Sequence, residues 1–124
     1  MKSAILQTSL LSVCALLLSA CAEKEVSFKA DIQPILVKNC LECHAAGGAG
    51  AEKSGLLMSS YEDLMKGTRF GAIVKPGDAL TSALIMLVEG RVDPSIRMPH
   101  HKEPLSKDQI AQLRAWVEQG AKNN

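Results

Sequence analysis

The chain has 124 residues, with 14 Lys and Arg against 13 Asp and Glu, for a formal net charge of +1. That length holds one domain once a targeting segment is set aside, and so even a balance gives no sign of a nucleic-acid footprint, which needs a clustered basic excess. With one Trp, one Tyr and two Phe, the domain buries a modest core, which small proteins commonly supplement with a metal, a disulfide or a cofactor.

Residues 1–20 read as an export signal. Lys2 gives a positive start, Ala4 to Leu18 is mostly apolar, and Leu18-Ser19-Ala20 places small residues directly before Cys21. This resembles the lipobox of bacterial lipoproteins, in which Cys21 takes a diacylglyceryl group and becomes the mature N-terminus. An uncleaved anchor fits less well, because Gln7, Thr8 and Ser9 interrupt a stretch that falls short of the roughly 20 apolar residues a spanning helix needs. The expectation is an exported protein, lipid-anchored on the periplasmic side of a bacterial membrane. Ala22 favours the outer membrane, by analogy with enteric sorting. Cys14 leaves with the signal and Cys21 carries lipid, so Cys40 and Cys43 remain with no further pair for a structural disulfide, even in an oxidising compartment.

Residues 21–31 form the lipidated cysteine and a short tether, charged from Ala22 to Ser27, and the domain proper occupies 32–124. A first helix is predicted from Ile32 to about His44, with Asp31 as N-cap and Pro34 in the first turn, where its missing N–H loses no partner. Ile32, Ile35, Leu36 and Cys43 share its apolar face. Ala45 to Ser54 is Gly/Ala-rich without periodicity and reads as a loop. Ser60 with Asp63 opens a short helix that Gly67 closes. Pro76-Gly77-Asp78 turns into a third helix capped by Asp78 and ended by Gly90, with Leu80, Leu84, Leu87 and Val88 inward. Arg91 to Pro104 is a loop containing Pro94, Pro99 and Pro104. The last helix has a capping box at Ser106 and Gln109 and a hydrophobic staple at Leu105 and Ile110. Ile110, Leu113, Trp116 and Val117 form its inward stripe, and Gly120 stops it. No strand-like alternation or internal repeat occurs, so the fold class is all-α.

Cys40-Leu41-Glu42-Cys43-His44 carries the chemistry. Cys-x-x-Cys-His is the attachment signature of a c-type haem. Cysteines three apart on a helix face one side, where both thiols can add to the haem vinyl groups. His44, next in line, brings its imidazole to the iron from that side. A zinc site needs four ligands at zinc-finger spacing, and the other candidates, His100 and His101, are adjacent. A thioredoxin-like thiol pair belongs beside a βαβ pattern that this chain lacks. A Cys40–Cys43 disulfide requires that haem never be loaded.

A motif at the end of the first helix and an amphipathic closing helix with Trp116 resemble the small cytochrome c fold, in which first and last helices cross beside the haem. Four-helix-bundle cytochromes place the motif near the C-terminus. From Ile32 to Ala121 the chain is similar to the short cytochrome c-like domains first named from planctomycete proteins. The likeness is carried by Pro34-Ile35-Leu36 before Cys40, then by Gly55-Leu56, Ser60, Leu64 and Lys66-Gly67. It continues through Ile73, Pro76-Gly77-Asp78, Ser82, Leu84 and Ile85, and ends on Met98-Pro99, Leu105-Ser106, Ile110, Leu113-Arg114, Trp116 and Gly120-Ala121. It implies about four helices around one covalent haem c, with Met98 as second iron ligand from a loop that this fold brings across the far side. Pro99 fixes the backbone beside Met98. His100 stands where the family often has a second proline, so His100 and His101 stay open as alternative ligands, as does a Met98 with no role. Met58, Met65 and Met86 read as packing residues. Lys75, Arg69, Arg91 and Arg97 are candidates for haem propionates, set against plain surface charges.

These readings predict a one-electron carrier between membrane-associated redox proteins, with no enzymatic turnover. The alternatives are a haem-based sensor or small-ligand binder whose second ligand is displaced, and a haem subunit of a larger redox complex. Arg97, His100, His101, Lys102 and Lys107 mark a docking surface for an acidic partner.

Overall fold

The computed structural model describes residues 23–124. The expected signal segment and Cys21 lie outside them. The described residues form six α-helices: α1 (Gln33–Asn39), α2 (Leu41–His44), α3 (Ala49–Ser54), α4 (Tyr61–Lys66), α5 (Ala83–Glu89) and α6 (Lys107–Glu118). A wide π-type turn (Phe28–Ile32) leads into α1, and a 3-10 turn (Pro94–Ile96) lies between α5 and α6. An isolated bridge between Thr68 and Gly71 is the single extended pairing among the described residues. The all-α expectation holds, and no described helix is long and apolar enough to cross a membrane.

The first helical run begins earlier than its pattern suggests. Ser27, not Asp31, is the cap: its hydroxyl accepts from the Ala30 N–H, while the Asp31 carboxylate accepts from the Ser27 N–H. A capping serine four residues upstream lets Phe28 join the core at 3% exposure. Cys40 then leaves helical geometry, at φ −122° and ψ −36°, and divides α1 from α2. The hydrogen bonds nonetheless run through the break, from Cys40 N–H to Leu36 and from His44 N–H to Cys40.

Phe28, Tyr61 and Trp116 stack where the two ends of the domain meet, with ring centroids 5.2 to 6.4 Å apart. The Trp116 indole N–H donates to the Lys122 carbonyl and the Tyr61 hydroxyl to that of Ala121. The last helix thus packs on the Phe28–Ile32 turn as well as on α5. Around this stack Ile32, Leu36, Leu64, Ile85, Leu113 and Val117 are fully buried. Residues in and just before the turn are tied to the far end of the chain, with the Val26 N–H on the Gln119 side chain and the Lys29 N–H on the Asn124 carbonyl.

Three local expectations change. Ala49–Ser54 is helical although its composition reads as loop. Ala51 is buried, and Arg69 holds α3 from outside, through its N–H on the Ser54 carbonyl and its guanidinium on that of Glu52. Asp78 caps only the turn to Thr81, and the helix starts at Ala83 behind Ser82. The chain turns between these points, so Leu80 is 65% exposed, while Ile85, outside the expected inward set, is fully buried. Ser82, also fully buried, pins the turn by accepting from the Lys75 N–H and donating to the Asp78 carbonyl. The caps at Ser60 and Ser106, with the reciprocal Gln109 bond, form as expected.

Candidate functional site

A cavity of about 470 Å³ opens between α2, α3, α5 and the loop that follows α5, within the usual range for a small-molecule or cofactor site. Leu56, Met58, Ile73, Leu84, Val88 and Met98 make its lining largely apolar, and Cys40, Cys43 and His44 enter it from the motif. The expected site residues are therefore brought together in one place. Met98 and His100 both line the cavity; His101 does not.

Each motif side chain is held by a definite local cause. Cys43 and His44 both donate their backbone N–H to the Cys40 carbonyl, closing the short turn that presents them. The His44 ring is 7% exposed, and its Nδ1 lies 3.3 Å from the Leu56 carbonyl oxygen. A proton on Nδ1 donates to that carbonyl, which leaves the lone pair on Nε2 for a metal. The Met58 N–H donates back to the His44 carbonyl at 2.9 Å, fixing the residue's main chain as well. Neither Cys40 nor Cys43 is in a disulfide. Burial pushes the Cys40 thiol up to about 11, against the lowering effect of Lys102, with Cys43 adding a small rise. Cys40 is therefore a protonated thiol at neutral pH.

The loop carrying Met98 is fastened at that residue and again beyond it. The Met98 N–H donates to the Leu87 carbonyl at 3.2 Å, and Lys102 pairs with Glu42, inside the motif itself. The pair draws Glu42 below the usual carboxylate range through the Lys102 hydrogen bond and charge. Lys102 is thus already engaged within the protein, whereas Arg97, His101 and Lys107 are exposed.

Of the candidate propionate partners, none lines the cavity; the cations that do are Lys53 and Lys102. Arg69 is spent on α3, Arg91 on Glu89 and the Leu80 carbonyl, and Lys75 on Thr81. Met58 is packed at 6% exposure, as expected, and also faces the cavity. The sequence reading missed the Leu56 carbonyl, a backbone group with no side-chain signal, and the contribution of α3, whose Ala49 and Gly50 line the wall.

Two thiols, an oriented imidazole and a thioether around an apolar cavity form a donor set that fits a c-type haem. The model of the family described as planctomycete cytochrome C matches residues 40–101, half of the chain. The chain belongs to this cytochrome c family. It is thereby a haem-binding protein of the electron-carrier class. The matched stretch begins on the first cysteine of the motif and ends at His101, and it contains all of the cavity lining except Asn39 and Lys102. No curated protein and no solved structure matched the chain.

Proposed function

We propose that the protein carries one haem, joined by thioethers to Cys40 and Cys43 and ligated by His44 Nε2 and Met98. In this reading it relays single electrons between redox proteins and turns over no substrate. It works on the exported side of a bacterial membrane, tethered there through lipid on Cys21. The observation that supports this best is the convergence of both thiols, the imidazole and the Met98 thioether on one apolar cavity. Haem bound there supplies reversible one-electron chemistry at its iron. The chain's own residues hold it, orient the imidazole through Leu56 and keep water from the wall. A neutral thioether favours ferrous iron and raises the potential. His100, in the same lining, is the rival second ligand.

The exposed cations Arg97 and Lys107 support docking of an acidic redox partner, whose electron-transfer rate falls as salt screens the encounter. A rate indifferent to ionic strength counts against that surface.

Covalent attachment is the test of the whole reading. Wild-type protein keeps its haem through acid–acetone extraction, and the Cys40→Ala/Cys43→Ala variant loses it. Haem that extracts freely from the wild type refutes the proposal.

A further inference from the structure

Glycine at position 50 is unexplained by the backbone. It lies within α3, not in the left-handed region, and in a helix glycine is a weaker former than alanine. What distinguishes the position is its neighbour. A Cβ placed on Gly50 would stand 2.8 Å from His44 Cε1, 3.0 Å from His44 Nε2 and 3.0 Å from the Cys43 carbonyl oxygen. Carbon atoms in favourable contact sit at about 3.5–4.0 Å, so the ring would have to move.

It has little room to do so. The imidazole is buried, the Leu56 carbonyl lies 3.3 Å from Nδ1, and the main chain is bonded on both sides, to Cys40 and to Met58. A methyl group at position 50 would therefore press on the Cε1–Nε2 edge of the ring, which carries the nitrogen that the Nδ1 hydrogen bond leaves for the metal.

We infer that Gly50 is a positioning residue for haem ligation: its missing side chain leaves His44 Nε2 clear to meet the iron. This rests on the haem reading above. Helix propensity and ligand geometry make opposite forecasts for Gly50→Ala, the first a firmer α3 and the second a strained imidazole.

The experiment uses the full-length, haem-loaded protein as wild type, Gly50→Ala and Glu52→Gly, the last a helix-weakening change at an exposed position of α3. Ferric absorption and electron paramagnetic resonance report the ratio of high-spin to low-spin iron. Gly50→Ala keeps its haem through acid–acetone extraction, and its high-spin to low-spin ratio rises roughly two- to tenfold, the range expected from an off-rotamer imidazole. Glu52→Gly keeps the wild-type ratio. A Gly50→Ala spectrum identical to wild type overturns the inference. If Gly50→Ala accumulates without haem while Glu52→Gly loads normally, the loss follows the added carbon and supports it. Equal loss in both variants assigns the effect to the helix and overturns it. A wild type whose haem extracts freely fails the haem reading itself, an outcome visible before any variant is compared.

Discussion

Trp116→Phe tests whether the aromatic stack and the cavity are separate parts of the molecule. Trp116 is fully buried, touches Phe28 and Tyr61, and spends its indole N–H on the Lys122 carbonyl. It contributes nothing to the cavity lining. Phenylalanine removes two buried ring carbons, worth about 1.6 kcal/mol at ~0.8 kcal/mol each. It also removes one hydrogen bond, worth about 0.5–1 kcal/mol, at the low end because Lys122 is exposed and water can replace the donor. The tilted contact with Phe28 and the edge contact with Tyr61 largely survive with the smaller ring. The expected loss is about 2–2.5 kcal/mol, a substantial part of the ~5–15 kcal/mol that holds a domain of this size. Urea unfolding of the haem-loaded protein measures it as a lower midpoint with an unchanged slope, while the haem absorption bands below the transition stay as in the wild type. A loss under about 0.5 kcal/mol refutes the packing account. A shifted native haem spectrum refutes the separation.

Met98→Ala removes the weak red charge-transfer band of methionine ligation from the oxidised spectrum and lowers the potential. A wild type that lacks the band, with a low potential that falls no further in the variant, points to His100 and refutes Met98. Glu89 bridges α5 and α6 through Arg114 and also pairs with Arg91. Partial burial raises its pKa, but the Arg91 and Arg114 hydrogen bonds outweigh that and hold the carboxyl below its ordinary value of 4.5. A lowered folded-state pKa makes this contribution, about 0.5–1 kcal/mol after solvent screening, present above roughly pH 4.5 and lost as pH falls through the lowered value. Glu89→Gln is accordingly less stable than wild type at pH 7, and the two stability curves converge on acidification; parallel curves down to pH 3 contradict this assignment.

What was legible in the sequence was mostly local. Ser60 and Ser106 cap helices through bonds that close within three residues, so the pattern and the structure agree there. The spacing of Cys40, Cys43 and His44 is likewise carried by one turn. Where the cause is distant, the pattern misleads or is silent. Asp31 has the chemistry of a cap, yet Ser27 takes that role because Phe28 gains a buried place beside Trp116. The α3 helix has six residues, one of them buried and none capping by side chain, and it depends on Arg69, fifteen or more positions downstream of the carbonyls it holds. Leu80 sits at a helical interval from Leu84 but ahead of the Ser82 turn, so the periodicity is read across a bend. The partner of the His44 imidazole is a main-chain carbonyl, which any residue at position 56 offers.

The crowding of Phe28, Tyr61 and Trp116 where the two ends of the domain meet has a converse. Phe70, the remaining member of the four, is 85% exposed on its turn, and no Phe, Tyr or Trp lines the cavity. Its apolar wall is built of aliphatic and sulfur-bearing side chains, joined by the His44 and His100 imidazoles and a few polar groups. Apart from those two imidazoles, the lining therefore offers no aromatic ring as a relay toward the rest of the domain. Ile96 and His100 are among the lining residues that meet solvent. On the carrier reading proposed above, a partner would therefore exchange electrons at such an exposed edge of the site and not by way of the aromatic cluster.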